Sequence, residues 1–348
     1  MIPPRYKKIK TASGGFGHVD ICQDTILQRK VVIKRVLDIG DLPRLIDEVV
    51  ALQNAKSKYV VNILDVLISD DGGNISIVEE YLPGSDLVDK KLHEADSKAR
   101  YQILYQVARA LEDIHRLNIV HRDIKPMNMK FDDNGIVKLF DFGLAKIEEN
   151  ATTMTVIGTP GFMAPELYVV PAIIKPAVDI YAFGVLAYVL ATGKLPPSSP
   201  SAWPNPPVAL PPGTGRAVLK CDHDSIADLI DRCLDLDPNK RPTAVEIVAA
   251  LQRELLYGRR KAILVSGATV LTLNAIGKHV TATHRTHAAT FLYDGYDFAI
   301  TSVTGDVFVN NVDAVPGMIL DGSHVITLSA SGRRMFFTFD VNRPEVDA

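Results

Sequence analysis

The sequence predicts an α+β chain in which a small antiparallel sheet with one helix precedes a mainly helical part and a small all-β domain. Three changes of pattern along the 348 residues support this order. Short β-branched runs alternate with turn residues over the first ~90 residues. Apolar residues at helical spacing then dominate as far as Leu256, and Val, Thr and Gly dominate after Gly258.

Two strands and a helix are marked most clearly in the first part. The runs Val31-Val-Ile-Lys34 and Asn74-Ile-Ser-Ile-Val78 have the β-branched composition of strands. Asp70-Asp-Gly-Gly73 lies directly before the second run and predicts a hairpin turn. Leu42 to Asn54 carries apolar residues at helical spacing, which predicts the single helix of this part.

The second part is predicted to be helical and the last part to be a β-sandwich. Helical spacing occurs in four segments, namely Ser97–Arg116, Ile180–Ala191, Asp224–Leu234 and Thr243–Leu256. The proline-rich stretch Leu195–Pro212 predicts an irregular surface loop. Alternating runs after Gly258 predict strands, so the domains are expected at residues 1–256 and 259–348.

Composition narrows the classes of function. A formal net charge of −3 gives no general attraction to nucleic acid. No stretch reaches the ~20 apolar residues of a membrane span, and the first residues lack the apolar core of a signal peptide. The cysteines, Cys22, Cys221 and Cys233, lack CxxC spacing, which favours a reducing compartment and thus a cytoplasmic location.

A glycine-rich turn is the first candidate binding element. Ala12-Ser-Gly-Gly-Phe-Gly-His-Val19 lies between the first two strands. Backbone N–H groups can approach nucleotide phosphates where side chains are absent, although glycine-rich hairpins are more often plain turns. Ala12 also occupies the position that the first glycine holds in the pattern G-x-G-x-x-G.

Lys34 and Glu48 form a second candidate group. Lys34 ends a strand that the pattern predicts to be buried, where a lysine is unfavourable unless it is paired. Glu48 follows on the predicted helix, and an ion pair between the two would orient Lys34 towards nucleotide phosphates. An edge lysine and a solvated helix glutamate are the alternative for each residue alone.

The most informative run is His121-Arg-Asp-Ile-Lys-Pro-Met-Asn128, followed by Asp141-Phe-Gly143. It holds a base, a second cation and two oxygen ligands suited to Mg²⁺. Gly158-Thr-Pro160 and Ala164-Pro-Glu166 then follow, and the order and spacing of these motifs resemble the protein kinase family. The resemblance implies a two-lobed kinase fold, with a sheet-based N-lobe at residues 1–82 and a helical C-lobe at residues 83–256.

The resemblance also implies a role for individual residues. Asp123 would orient the substrate hydroxyl or accept its proton, and Lys125 would contact the γ-phosphate of ATP. Asn128 and Asp141 would hold Mg²⁺ or Mn²⁺. Lys125 together with Thr159 matches the serine/threonine branch of the family, so the implied reaction is phosphate transfer to Ser or Thr hydroxyls of protein substrates.

A set of nucleotide contacts is implied in the same way. They come from the glycine-rich turn, the next strands, the hinge and the metal ligands, namely Ala12, Gly14, Gly15, Gly17, Val19, Val32, Lys34, Glu80, Leu82, Asp86, Asn128 and Asp141. Three positions depart from the family: Val32 above the adenine base, Lys130 beneath it, and Glu79 just before the hinge. Two interpretations of Lys130 stay open, a pair with Glu79 or a charge extended to solvent.

Two structural features follow from the resemblance. Glu166 is expected to pair with Arg241 and to brace the helical part. A stack of side chains is expected to link the two lobes, and the residues that align with it are Leu52, Ile63, His121 and Phe142.

Regulation is expected in the activation segment, Asp141 to Glu166. In family members with an arginine before the catalytic aspartate, that arginine, here Arg122, often binds a phosphate on this segment. The candidate phosphate acceptors are Thr152, Thr153 and Thr155. Autophosphorylation at one of the last two is favoured, whereas Thr159 is expected to position the catalytic residues. Solvated loop threonines are the alternative.

The last domain is similar to the second half of a forkhead-associated domain, which binds phosphothreonine peptides. The likeness rests on three segments, Arg285–Ala288, Gly305–Asn311 and Leu320–Leu328. His287 and Asn310 fit the pattern, whereas His284 and Gly305 replace its phosphate-binding serine and peptide-clamping asparagine. A phosphopeptide or another protein partner is therefore a candidate ligand, and a domain used only for packing is the alternative.

Two other functions fit part of the pattern. Small-molecule kinases of the aminoglycoside type share the catalytic spacing but lack the glycine and the Ala-Pro-Glu element, both of which are present here as Gly143 and Ala164–Glu166. A pseudokinase that binds partners without chemistry is the competing class. The intact residues Lys34, Asp123, Asn128 and Asp141 argue against it.

Overall fold

The computed structural model divides the chain into two compact units, Met1–Leu251 and Gln252–Ala348. It describes residues 3–14, 17–36, 49–50, 52–53, 56–69, 75–142, 146–147, 151–153, 158–169, 171–197, 205–211, 213–219, 224–330, 332–342, 344 and 346. None of the helices among these residues has the length and apolar character of a membrane span. The domain limits at 1–256 and 259–348 stay a prediction.

The first unit begins with a five-stranded antiparallel sheet in the order β1-β2-β3-β5-β4. Its strands are β1 Tyr6–Gly14, β2 Gly17–Asp24, β3 Arg29–Val36, β4 Ile63–Ile68 and β5 Ile75–Glu80. Both strands that the β-branched runs predict are confirmed as β3 and β5. The predicted turn at residues 70–73 lies outside the described residues. Of the predicted helix at 42–54, residues 49–50 and 52–53 are described, and they are helical.

Five α-helices follow among the described residues. They are α1 Ser97–His115, α2 Ala177–Thr192, α3 Thr214–Leu219, α4 Asp224–Cys233 and α5 Ala244–Leu255. The four predicted helices are confirmed within three residues at either end, and α3 was not predicted. The Asp96 carboxylate accepts a 2.7 Å hydrogen bond from the N–H of Ala99 at the start of α1. Helix α2 is buried along its length, because apolar residues occupy all of its faces.

Short strands connect these helices and carry the loops of the site. They are β6 Ile119–Val120, β7 Met129–Phe131, β8 Val137–Leu139, β9 Lys146–Ile147, β10 Ala151–Thr153 and β11 Ala172–Ile174. They pair antiparallel as β6 with β9, β7 with β8 and β10 with β11. The described parts of the proline-rich stretch, residues 195–197 and 205–211, contain no helix or strand, as the composition predicts.

The second unit is an all-β region, as predicted, preceded by the end of α5. Its strands are β12 Ala262–Ser266, β13 Thr269–Leu273, β14 His279–His284, β15 His287–Tyr293, β16 Phe298–Thr304, β17 Val307–Val309, β18 Val312–Asp313, β19 Ile319–Leu320, β20 His324–Ala330 and β21 Arg333–Val341. They form a six-stranded sheet, β13-β12-β21-β20-β17-β18, and a four-stranded sheet, β14-β15-β16-β19. Side chains of both sheets share one core, in which the rings of Phe291 and Phe339 lie 5.6 Å apart.

Candidate functional site

The loop between β6 and β7 is anchored on the first turn of α2. The buried Asp179 carboxylate accepts hydrogen bonds from the backbone N–H groups of His121, at 2.9 Å, and Arg122, at 2.8 Å. The ring of His115, on α1, lies 2.9 Å from the same carboxylate. Arg122 has a φ of 67°, a left-handed conformation that a non-glycine residue adopts only when its surroundings hold it there. The loop is therefore fixed by its backbone, which leaves its side chains available for the site.

The side chain of Asp123 forms a closed network of polar contacts with those of Lys125, Asn128 and Thr159. Asp123 is 2% exposed. One oxygen of its carboxylate accepts a 2.7 Å hydrogen bond from the Thr159 hydroxyl. The other lies 2.7 Å from Nζ of Lys125 and 2.9 Å from the amide nitrogen of Asn128. Lys125 also donates to the Thr159 hydroxyl at 2.7 Å. The expectation that Thr159 positions Asp123 and Lys125 matches these contacts.

Glycine is required directly before Thr159. Gly158 has a φ of 141°, and a Cβ at this position would lie 2.7 Å from Cγ of Met163. Both the backbone conformation and the contact therefore disfavour any side chain here. This geometry brings the Thr159 hydroxyl to the catalytic loop from the activation segment.

Asn128 and Asp141 are brought together by the β7–β8 ribbon. Met129 pairs with Leu139, and the backbone N–H of Phe140 donates to the carbonyl of Asn128 at 3.0 Å. The amide nitrogen of Asn128 is used by Asp123, so its amide oxygen is the atom left to face a ligand. A carboxylate and an amide oxygen from adjacent strand ends fit Mg²⁺, which prefers oxygen ligands and keeps several waters.

Lys34 joins the first sheet to this ribbon. Its ammonium lies 3.1 Å from the Asp141 carboxylate and 3.5 Å from the Glu79 carboxylate. Burial works against the charged form, but the two carboxylates outweigh it and raise the pKa of Lys34. The expectation that this strand lysine needs a charged partner is thus confirmed. Glu48, the predicted partner, lies outside the described residues.

His121 is a buried neutral residue that links the catalytic loop to Asp141-Phe142. Its Nε2 faces the carbonyl of Phe140 at 3.1 Å and therefore donates, while Nδ1 accepts from the N–H of Asp123 at 3.3 Å. Burial lowers the pKa of His121, which agrees with this single-proton state. Its ring packs edge-on against Phe142, with centroids 4.6 Å apart. The contact of these two members of the expected stack is confirmed.

The segment after β5 carries two further ion pairs. Glu80 accepts from Nζ of Lys138 at 2.7 Å and from the backbone N–H of Asn62 at 2.8 Å. Lys130 lies 3.1 Å from the Asp86 carboxylate, and the backbones of these two residues form an isolated antiparallel bridge. Leu82, which lies between Glu80 and Asp86 in the sequence, is buried.

The suggested pair between Glu79 and Lys130 is wrong. Glu79 faces Lys34, and Lys130 faces Asp86. The reason is strand register: the bridge between Asp86 and Lys130 places their side chains next to each other, while Glu79 lies on β5 beside β3. The alternative, a Lys130 charge extended to solvent, fits the partly exposed position of this side chain, where it also contacts Asp86.

The glycine-rich turn is the tip of the β1–β2 hairpin. Ala12 pairs with Val19 and Gly14 with Gly17, so the hairpin is antiparallel up to its end. Gly15 lies outside the described residues. Val19 pairs with Lys34 on β3, and Val32 on β3 pairs with Glu79 on β5. Among the described residues, the predicted nucleotide contacts of the sheet therefore lie on four adjacent strands, β1, β2, β3 and β5, the last of which ends at Glu80.

Comparison with known proteins decides the family. A profile described as the protein kinase domain matches residues 7–251, about 70% of the chain. The chain belongs to the protein kinase family.

Three relatives of the chain are named as serine/threonine-protein kinases. The chain is 29% identical over 252 residues to serine/threonine-protein kinase STY46 of Arabidopsis thaliana, covering 70% of this chain and 43% of that protein. It is 30% identical over 249 residues to serine/threonine-protein kinase STE20 of Candida glabrata, covering 69% and 27%. With the probable serine/threonine-protein kinase CPE1738 of Clostridium perfringens it shares 30% over 266 residues, covering 72% and 38%. The chain thus spans less than half the length of each of these relatives.

The brace expected in this kinase family member is confirmed. Arg241 donates two parallel hydrogen bonds to the Glu166 carboxylate, at 2.7 and 2.8 Å. The guanidinium also donates to the carbonyls of Ala177 and Asp235, both at 2.8 Å, and stacks 5.0 Å from the ring of Tyr181. This single side chain therefore holds the end of the activation segment to helix α2.

The threonines predicted to be regulatory are only partly described. Thr152 and Thr153 belong to β10, where their backbones pair with Ile173 and Ala172. Thr155 lies outside the described residues. A contact between Arg122 and a phosphorylated threonine stays a prediction.

Two functional features escaped the sequence analysis. The first is Asp179, which anchors the catalytic loop through the backbone N–H groups of His121 and Arg122. Glu79 was noted as unusual, without its contact to Lys34. The usable signal for Glu79 was the rule applied to Lys34, because a carboxylate in a buried strand also needs a partner.

Proposed function

We propose that this chain is an ATP-dependent serine/threonine protein kinase with the two-lobed arrangement of its family. The reaction is transfer of the γ-phosphate of ATP to a Ser or Thr hydroxyl of a protein substrate. The single observation that supports it most is the closed network of Asp123 with its three partners, Lys125, Asn128 and Thr159. Such a network orients one carboxylate oxygen and one ammonium in fixed positions before substrate arrives.

Asp123 and Lys125 are the residues that act on the transferred group. Asp123 orients the substrate hydroxyl and accepts its proton, and Lys125 stabilises the negative charge of the γ-phosphate. Because the Thr159 hydroxyl is hydrogen-bonded to both side chains, it fixes the distance between them. Lys125 and Thr159 are also the features that favour Ser or Thr over Tyr as the acceptor.

Asn128 and Asp141 are the proposed ligands of Mg²⁺ or Mn²⁺. Kinases of this family generally use ATP with Mg²⁺, and the bound metal neutralises charge between the phosphates. The chain contributes one amide oxygen and one carboxylate, held at adjacent strand ends by the β7–β8 pairing.

The nucleotide is proposed to bind along the first sheet and the segment that follows it. The β1–β2 hairpin covers the phosphates with its backbone, and Lys34 contacts the α- and β-phosphates. Val32, Glu80, Leu82 and Asp86 supply the adenosine side. Glu48 keeps its proposed place as a partner of Lys34, although it lies outside the described residues.

The competing classes are less well supported. A pseudokinase does not require the bonded set of Asp123, Lys125 and Thr159, which the structure contains. A small-molecule kinase does not require the brace between Glu166 and Arg241. A protein substrate is therefore the proposal.

The all-β region has a separate predicted role, the binding of a partner. A phosphopeptide or another protein remains the predicted ligand, and forkhead-associated likeness remains a prediction. Gly305 has a φ of 70°, and the ring of His287 fills the space that a Cβ at Gly305 would need. An asparagine could not take this position without movement of that ring. The cytoplasmic location also stays a prediction.

The test compares wild type with Asp123→Ala and with the control Asp228→Ala. Purified proteins from a host without related kinases receive radiolabelled ATP and a generic basic protein. We expect Asp123→Ala to lower transfer at least ~100-fold, because it removes the group that acts on the hydroxyl. Asp228 is exposed and pairs only loosely with Arg216, so its variant is expected to retain activity.

Two readouts make this test specific. Binding of MgADP should persist in Asp123→Ala, since the residue acts on the hydroxyl and not on the nucleotide. Peptide mapping of residues 141–166 shows whether the wild type phosphorylates its own activation segment while Asp123→Ala does not. Wild-type turnover in Asp123→Ala would contradict the proposed function, and an active wild type without phosphate in that segment would contradict the proposed autophosphorylation.

A further inference from the structure

Glu79 is a buried carboxylate in the middle of the first sheet, and Lys34 is its cationic neighbour. Glu79 is 7% exposed, and its Oε2 lies 3.5 Å from Nζ of Lys34. We propose that Glu79 is a positioning residue for Lys34 and holds its ammonium over the nucleotide from the sheet itself. The inference rests on the proposed kinase function and adds a residue to which the sequence analysis gave no role.

Strand register fixes this pair. On the β3–β5 ladder, Lys34 pairs with Ile77 and Val32 pairs with Glu79. Side chains two residues apart on a strand point to the same face, so Lys34 and Glu79 are diagonal neighbours on one face of the sheet. Glu79 also pairs with Ile63 of β4 on its other side. Its backbone is therefore held from both sides, which places the carboxylate on the same face of the sheet as Lys34.

Burial indicates that the pair is required by the chain. An ionised carboxylate in a strand interior is costly unless a cation and hydrogen-bond donors compensate it. Lys34 is the cation within 4 Å of Glu79 among the described residues. Removal of Glu79 should in turn free the lysine, whose side chain is 23% exposed and otherwise contacts Asp141.

Asp141 is a less constant partner for Lys34 than Glu79. Asp141 is a proposed ligand of Mg²⁺, and a carboxylate shared with a divalent cation attracts an ammonium less strongly. Glu79 lies inside the sheet and has no such second role. The sheet carboxylate is therefore the partner that holds Lys34 in the same place whether or not metal is bound.

Glu79 and Glu48 would hold Lys34 from different elements of the fold. The resemblance to other kinases gives the positioning role to a helix glutamate, here Glu48. A carboxylate on β5 holds Lys34 through six ladder pairs between β3 and β5, independently of any helix. We therefore expect the Glu79→Gln substitution to impair the site at least as much as Glu48→Gln.

The main experiment measures the chemical reactivity of Lys34 in the nucleotide-free protein. Trace acetic anhydride is applied to wild type, Glu79→Gln and Glu48→Gln, and labelling of each lysine is read by mass spectrometry. Lys8, which pairs with Asp20 on the surface of the same sheet, is the internal reference. We expect Lys34 to label at least ~3-fold faster in Glu79→Gln, because its side chain loses the cross-strand contact that holds it against the sheet and becomes more accessible to the reagent.

Kinetics and a matched control complete the design. We expect kcat/KM for ATP to fall roughly 10- to 100-fold in Glu79→Gln, since small misplacements of a positioning group have effects of this size. Glu79→Asp, which keeps the charge, should recover part of the loss. Asp65→Asn removes a carboxylate that bonds Tyr6 on the same sheet, away from Lys34, and should leave both readouts at the wild-type level.

A double-mutant cycle keeps the inference testable if Glu79→Gln folds poorly. Lys34→Met leaves the Glu79 carboxylate buried without its cation, so Lys34→Met/Glu79→Gln should melt at a higher temperature than Lys34→Met. For ADP binding the two losses should not add, because Glu79 acts through Lys34. Fully additive losses, or unchanged labelling of Lys34 in Glu79→Gln, would overturn the role of Glu79. A wild type without transfer activity would contradict the proposed function instead.

Discussion

The catalytic loop and the nucleotide side of this kinase are built in different ways. In the catalytic loop, one carboxylate, Asp123, is shared by three neighbours, two of which come from the same eight-residue run. On the nucleotide side, each carboxylate faces a lysine from a different strand. These pairs are Lys34 with Glu79, Lys138 with Glu80 and Lys130 with Asp86.

The difference shows which interactions a local sequence can specify. The contacts of Asp123 with Lys125 and Asn128 lie inside one loop, so they depend on spacing along the chain. Pairs between strands depend on register, and a shift by one residue would turn each side chain to the other face. The three lysine–carboxylate pairs therefore depend on the register of the strands as well as on the residues of the site.

The largest effect on stability is expected at the brace behind the catalytic loop. Arg241 has a fully buried side chain that donates two hydrogen bonds to Glu166. We expect Arg241→Ala to destabilise the first unit by about 3–5 kcal/mol, because it leaves a carboxylate and several carbonyls without their donor. Urea unfolding followed by the circular dichroism signal of α-helices measures this loss of stability, since the second unit is nearly all β.

The matched control for this variant is an exposed pair of the same chemistry. Arg232 lies 3.5 Å from Glu246, with both side chains 53% exposed. Arg232→Ala should cost no more than about 1 kcal/mol. If both arginine variants lowered stability equally, the catalytic part would not be braced by Arg241, and the contrast between buried network and surface pairs would fail.

Asp141 belongs to both regions, and its substitution is expected to have the next largest effect. It contacts Lys34 at 3.1 Å and is a proposed metal ligand beside Asn128. We expect Asp141→Asn to lower phosphate transfer roughly 10²- to 10³-fold, because an amide neither carries the charge nor ligates the metal as well. Titration of nucleotide binding with Mg²⁺ should show a loss of the metal dependence.

An exposed aspartate in the β7–β8 turn serves as the comparison for this substitution. Asp133→Asn lies near the same ribbon, outside both regions, and should bind nucleotide with the wild-type response to Mg²⁺. An unchanged titration in Asp141→Asn would remove the metal role and leave Asp141 as a partner of Lys34 alone.

The sequence predicted the catalytic loop better than the nucleotide side, for a physical reason. Asp123, Lys125 and Asn128 lie within one short run, and the order and spacing of its residues carry the resemblance that implies their roles. The anchoring of that run by Asp179, 58 residues from His121, requires the position of helix α2. The predicted strands and helices are confirmed because their apolar periodicity is local.

Register explains what the sequence could not supply on the nucleotide side. The resemblance identified Glu79 and Lys130 as departures from the family pattern, but the spacing along the chain did not indicate which strands are neighbours. The suggested pair between them is wrong because β5 lies beside β3, while β7 meets the segment around Asp86. The order β1-β2-β3-β5-β4, in which the last two strands exchange places, is the missing information.

The smallest expected effect concerns Lys130 and Asp86. Their charges lie 3.1 Å apart, with side chains 31% and 46% exposed, so the pair itself contributes little to stability. The resemblance implies that an apolar residue lies beneath the adenine base at Lys130 and that Asp86 contacts the nucleotide. Lys130 therefore engages the Asp86 carboxylate, and it offers the adenine base less apolar contact surface than an apolar residue would.

We expect Lys130→Leu to tighten nucleotide binding by a factor of about 3–5, a gain below about 1 kcal/mol. Leucine supplies the apolar contact, and Asp86 becomes free to accept hydrogen bonds from the nucleotide. Calorimetric titration with ADP measures the change, and Lys130→Arg, which keeps the charge near Asp86, should bind as the wild type does. If Lys130→Leu weakened binding instead, the ammonium itself would contact the nucleotide. In an Asp86→Ala background the part of the gain that depends on Asp86 should disappear, and the part due to apolar contact should remain.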